Sequence, residues 1–120
     1  MAQVMDTQTT YQRGFDYRCE GRYAEARAEF QKVLSEDPGH ADSKWQLGLI
    51  QGFEGDFDGS LSTLTNVVGQ HPDHIKARYD LAMTQMMLGM YDEAVENFRG
   101  VLQLDPNHED AAKQLSYFGG

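Results

Sequence analysis

One cysteine and three prolines in 120 residues leave few ways to hold this chain together besides burial of apolar side chains. A lone Cys19 excludes an intrachain disulfide and any cysteine-based zinc cluster. A fold that stands on burial alone is usual in a reducing compartment, and the expected location is cytoplasmic. No apolar run exceeds a few residues, far short of the roughly 20 that span a bilayer. Met1–Asp6 has neither a basic start nor an apolar stretch, so no secretory signal is expected. Basic residues are also scarce, ten against nineteen acidic, for a net charge of −9. Such a surface repels nucleic acid and anionic membrane, so neither is expected as a partner. No nucleophile stands beside a matching base, and no glycine-rich phosphate loop follows a strand. Neither an enzyme nor a cofactor is expected.

What is present is a repeat. Pro38, Pro72 and Pro106 stand 34 residues apart, in the phrases Asp-Pro-Gly-His, His-Pro-Asp-His and Asp-Pro-Asn-His. Three ungapped units follow, 7–40, 41–74 and 75–108, covering 102 of the 120 residues. Small residues recur at Gly14, Gly48 and Ala82; a glycine turn at Gly21, Gly55 and Gly89; an aromatic at Tyr23, Phe57 and Tyr91. Small Ala26, Ser60 and Ala94 come next, followed by bulky Phe30, Leu64 and Phe98, then Val33, Val67 and Val101. Each unit reads as two helices around the glycine turn, held close by the small residues and ended by proline.

The spacing predicts helices over 8–20, 23–36, 41–54, 57–70, 75–88 and 91–104. Residues 1–6 form an extension before the first unit. A capping helix over 109–118 would turn Ala111, Leu115 and Phe118 inward and Glu109, Asp110 and Lys113 to water, leaving 119–120 as a tail. No unit can bury its apolar face alone, so the units stack.

The pattern resembles the tetratricopeptide repeat, whose leucine-glycine, aromatic, alanine, phenylalanine, alanine and proline positions it follows. The third unit, with Leu81, Ala82, Gly89, Tyr91, Ala94, Phe98 and Pro106, matches almost throughout. Departures are local: Trp45 falls one residue late, Gln51 and Gln85 replace the usual tyrosine, and Arg13 stands where Leu47 and Leu81 stand. Arg13 and Thr10 read as polar capping of a surface that no earlier repeat covers. The resemblance implies an all-α fold, a right-handed α-solenoid with a concave inner side, and a role in holding protein partners.

At about 100° per residue, the first helix of each unit carries two apolar arcs. One, with Leu47 and Gly48, packs within the solenoid; in the family the other faces the groove. That second arc comprises Tyr11, Phe15 and Cys19; Trp45, Leu49 and Phe53; and Tyr79, Met83 and Met87, with Met86 beside them and Tyr117 continuing the line. An aromatic at the first of these places is common in the family, but the other two are usually polar, and here all six are apolar. Helix 75–88 is apolar nearly all round, which predicts that something covers the groove. A bare stripe of this kind would be several hundred Å², a size that marks interaction sites. Methionine-rich and aromatic walls suit an adaptor or scaffold that takes an apolar helix or peptide.

Two other readings compete: a structural protein whose groove or end faces join copies into homo-oligomers, and a small acidic secretion-type chaperone. Co-chaperones of the family grip the acidic carboxyl terminus of heat-shock chaperones with two lysines, an arginine and two asparagines. The matching places here are Tyr11, Phe15, Gln46, Lys76 and Asp80; only Lys76 agrees in type, and Asp80 reverses the charge. His40, His74 and His108 recur once per unit, but helices about 8–10 Å apart keep them from sharing a metal that wants ligands near 2 Å. His71 and His74 flank Asp73 but lack a third ligand, so loop histidines solvating a turn, and no metal, are expected.

Overall fold

The computed structural model describes residues 6–119, as seven helices in chain order. They are α1 Thr7–Cys19, α2 Tyr23–Glu36, α3 Ala41–Phe53, α4 Phe57–Gln70, α5 Ile75–Met87, α6 Tyr91–Leu104 and α7 Glu109–Ser116. Each helix packs on the next, and α1, α3 and α5 also meet one another across one layer. The result is elongated, 60 × 27 × 22 Å. Residues 1–5 of the expected extension and residue 120 of the tail lie outside the described residues.

The turn inside each unit is built the same way three times. Gly21, Gly55 and Gly89 have φ of 77°, 86° and 79°, the left-handed region that residues with a Cβ rarely enter. One residue later, the amides of Arg22, Asp56 and Met90 donate back to the carbonyls of Tyr17, Gln51 and Gln85, each at 2.8 Å. These are Schellman closures, which satisfy the orphan carbonyls at the end of the first helix.

Between units, the histidines do more than solvate a turn. His40, His74 and His108 are the N-caps of α3, α5 and α7, and their Nδ1 atoms accept from the amides of Ser43, Ala77 and Ala111 at 3.0–3.1 Å. An accepting Nδ1 places the proton of the neutral ring on Nε2, and His74 Nε2 lies 2.7 Å from Asp42 Oδ1. Both nitrogens of His74 are therefore engaged. Each ring also rests against the first aromatic of its own unit: Tyr11–His40 at 5.5 Å, Trp45–His74 at 5.6 Å and Tyr79–His108 at 5.1 Å.

Phe30, Leu64 and Phe98, with Val33, Val67 and Val101, form the buried spine of the solenoid. Each such side chain contributes about 1.5–3 kcal/mol by leaving water. The small residues are steric requirements. A Cβ on Gly14 would lie 2.8 Å from Phe30, and one on Gly48 2.8 Å from Leu64. Ser60 substitutes for alanine without orphaning its hydroxyl, which donates to the Gly48 carbonyl at 2.8 Å. The capping helix sits as expected, with Ala111 and Leu115 buried, Phe118 half-buried, and Glu109, Asp110 and Lys113 in water. It ends two residues early, at Ser116. Arg13 lies on the open face of α1 and reaches Glu29 at 3.3 Å, whereas Thr10 is 5% exposed, inside the first unit rather than on that face.

Candidate functional site

The inner layer of α1, α3 and α5 holds an apolar cleft of about 280 Å³ between α3 and α5. Leu49 and Phe53 form one wall, Met83 and Met87 the other, Phe57 stands at one end, and Ser60 and Leu64 of α4 lie at the base. Asp80 is the single charged side chain in the lining.

One missing side chain opens the cleft. The same place in the three units is Arg18, Gly52 and Met86. Arg18 lays its guanidinium 5.1 Å from the Phe15 ring centre and 5.9 Å from that of Phe53, across the junction of the first two units. Met86 packs into the cluster of Ala82, Phe98 and Leu115 between the third unit and the capping helix. Gly52 puts nothing there.

Asp80 is held from the side by the Trp45 indole, whose Nε1–H donates to Oδ2 at 2.7 Å. Lys76 lies over the Trp45 ring, 5.5 Å from its centre. Burial pushes the Asp80 carboxyl above its ordinary value, and the opposing pull of the Trp45 bond and of Arg18, His74 and Lys76 does not cancel it. Burial likewise pushes the Tyr11 and Tyr79 hydroxyls up.

A tetratricopeptide repeat family model matches residues 54–116, more than half of the chain, and a second matches residues 9–40. The chain belongs to the tetratricopeptide repeat family. No curated protein matches the sequence. The first tetratricopeptide repeat domain of Spaghetti (RPAP3), solved bound to the HSP90 peptide SRMEEVD, superposes with a TM-score of 0.86 at 21% identity over 94% of this chain and 90% of that one. MamA (41-end) from Desulfovibrio magneticus RS-1 gives 0.79 at 24% identity over 93% of this chain and 63% of that one. YrrB, described as having an unusual peptide-binding site, gives 0.79 at 20% identity over 94% of this chain and 58% of its own. The chain thus spans less than two thirds of the last two.

Within this tetratricopeptide repeat fold, the sequence-predicted groove residues do not share one environment. Leu49, Phe53, Met83 and Met87 meet at the cleft, and Phe53 and Met87 are 54% and 60% exposed, so the expected cover is not supplied by the described residues. Tyr11, Trp45 and Tyr79 are half-buried: Tyr11 and Tyr79 lie against Phe30 and Phe98 of their own units at 5.5 and 5.7 Å, and the Trp45 indole reaches Asp80 of the next unit. The Tyr11 hydroxyl accepts from Gln46 Nε2 at 2.9 Å. Met86 packs half-buried against the core cluster instead of standing beside Met87. Phe15 is half-buried under Arg18, while Cys19 and Tyr117 are exposed at opposite ends of the row.

Sequence reasoning missed Phe57, Tyr23 and Gly52. Phe57 reaches the cleft, and Tyr23 stacks on Phe53 with ring centres 5.8 Å apart. Their signal was the aromatic recurring after each glycine turn, which reads as packing of the turn itself. Among the described residues no group of His, Cys, Asp and Glu could hold a metal, and no helix is long and apolar enough to cross a membrane.

Proposed function

We propose that this tetratricopeptide repeat protein is a non-catalytic interaction module that seats apolar side chains of a partner protein or peptide along its inner layer, with the α3–α5 cleft as the principal seat. The observation that carries this reading is the cleft: apolar walls, one carboxylate, and two large hydrophobic side chains at its edge more than half exposed to water. Burying the exposed halves of Phe53 and Met87 under a partner would recover about 1–1.5 kcal/mol each, enough to make them anchors. The solved relatives with bound or expected peptides lend the reading support at the level of the fold. Asp80 opposes an acidic peptide of the kind Spaghetti holds, because the peptide's carboxylates would raise further the cost of ionising a side chain that burial already disfavours.

Head-to-tail stacking of copies has weaker support. The open face of α1 is polar, with Asp6, Gln8, Gln12, Arg13 and Asp16 around a shallow depression, and α7 presents Lys113 and Ser116 to water. The reading is tested by affinity capture from lysate with the wild-type chain and with the Phe53→Asp, Met87→Asp double variant. Both positions are exposed, so the variant keeps its helical spectrum and unfolding midpoint close to wild type. A partner retained by wild type and lost by the folded variant is expected. Equal capture by both, or capture of the chain alone, would contradict it.

A further inference from the structure

The cleft is also polarised, and its polarity bears on what the partner carries beside its apolar anchor. The charges around the inner end of the cleft are mixed: Asp80 with Arg18 and Lys76 nearby. The charges at the outer end, where the glycine turns lie, are mostly acidic, with Arg18 over the Phe53 ring and Arg27 on Glu54 as the cations beside them. From Trp45 to Ile75 the chain has no lysine or arginine, against four acids, Glu54, Asp56, Asp58 and Asp73. Three of these bracket the cleft-lining Phe53 and Phe57 in the run Phe-Glu-Gly-Asp-Phe-Asp. Beyond Met87, the glycine turn leads to Tyr91, whose ring lies 6.0 Å from that of Phe118, and then to Asp92 and Glu93 in the first turn of α6.

Some of this charge is used locally. Glu54 pairs with Arg27, and Asp56 caps α4 by accepting from the Gly59 amide at 2.9 Å. Asp58, Asp92 and Glu93 are exposed and form no ion pair among the described residues. Their places in the first turns of α4 and α6 suit the positive helix ends, but that role leaves their carboxylates open to a partner.

Gly52 supplies a separate argument. A Cβ there would meet only the Ser60 hydroxyl, at an ordinary 3.6 Å, and the backbone is helical, so neither close packing nor a positive φ demands glycine. Glycine inside a helix is a local weakness, and a weakness without a structural cause points to a site. What glycine does here is keep open the space that Arg18 and Met86 close elsewhere.

Resting on the interaction-module reading above, we infer that the cleft takes one apolar side chain of a basic peptide segment, with the segment's lysines or arginines on the side of the glycine turns. The apolar anchor would supply most of the affinity, and the acidic mouth would choose the sequence and orientation.

The test is selection of a random-peptide display library on the whole chain, followed by titration of synthetic selected peptides against wild type, Gly52→Ala and Gly52→Met. Enriched peptides should share an apolar residue with lysine or arginine to one side. They should bind Gly52→Met about tenfold or more weakly than wild type, with Gly52→Ala between the two, because the longer side chain fills the seat. Replacing Asp58, Asp92 and Glu93 by their amides should reduce the preference for basic flanks while keeping the apolar anchor; that arm needs no change inside the cleft. Apolar peptides with neutral or acidic flanks would overturn the inference and leave the interaction reading standing. Basic apolar peptides that bind Gly52→Met as well as wild type would remove the cleft as the seat. A chain that sediments as a dimer and is split by Gly52→Met would put a second copy there instead. No enrichment by the wild-type chain would count against both readings.

Discussion

The second unit and the third have nearly the same interior and opposite surfaces at one helix position. Leu64 and Phe98 fill the core alike, Val67 and Val101 are both fully buried, and the turns close through the same hydrogen bonds. Yet Gly52 leaves the space between α3 and α5 open, while Met86 closes the space between α5 and the capping helix. Positions that face the core are constrained by the fold, because every unit must bury the same stripe against its neighbour. Positions that face the neighbouring first helix are free to be filled or emptied, and there the units differ. Function is read from that difference.

The comparison between core and groove is broken most forcefully at the phenylalanines. Phe98→Ala removes a fully buried ring and should cost about 3–5 kcal/mol in urea unfolding. Phe53→Ala removes a half-exposed ring and should cost less than about 1.5 kcal/mol, since much of it is already in water. Similar losses at both would mean that the two arcs are not separate.

The glycines sharpen it further. Gly48→Ala forces a Cβ to within 2.8 Å of Leu64 and should destabilise by about 1–3 kcal/mol. Gly52→Ala, four residues on in the same helix, meets no such contact and should stabilise by about 0.5–1 kcal/mol. Opposite signs in paired thermal melts are the expected outcome. At the unit junction, His74→Ala removes the Nδ1 acceptor from the Ala77 amide and should cost about 1 kcal/mol in the same measurement.

The smallest effect is at Asp80. Burial raises its folded pKa, so ionising it costs stability; its favourable contribution is present at acid pH and lost as pH rises through the folded value. Asp80→Asn should therefore raise the unfolding midpoint at neutral pH, and the gap to wild type should narrow on acidification through the carboxylate range. A gap that widens in acid would show that the Trp45 bond and nearby cations outweigh burial.

Much of the fold was legible from the three prolines and the residues that fall into register with them. Exact periodicity places each helix within two residues, because turn glycines, small contacts and bulky fillers each have a steric job. The second arc of the first helices was also legible, and Leu49, Phe53, Met83 and Met87 meet where that arc predicts. Periodicity assigns a side chain to a face, however, and not to what stands opposite. Met86 and Met87 are neighbours in sequence, yet one packs half-buried against the core cluster and the other is 60% exposed. Gly52 has no side chain to mark, so its effect appears only once α5 lies across from it. The histidines were misread as turn residues for a similar reason: a capping imidazole is recognised by the amide it accepts from.

The claim that the α3–α5 cleft is the binding seat is tested most directly by amide NMR of the labelled chain titrated with a selected peptide. The account predicts that shift changes concentrate at Leu49, Gly52, Phe53, Phe57, Met83 and Met87. Changes concentrated instead on the outer sides of the second helices, around Lys32, Asn66 and Arg99, would contradict it.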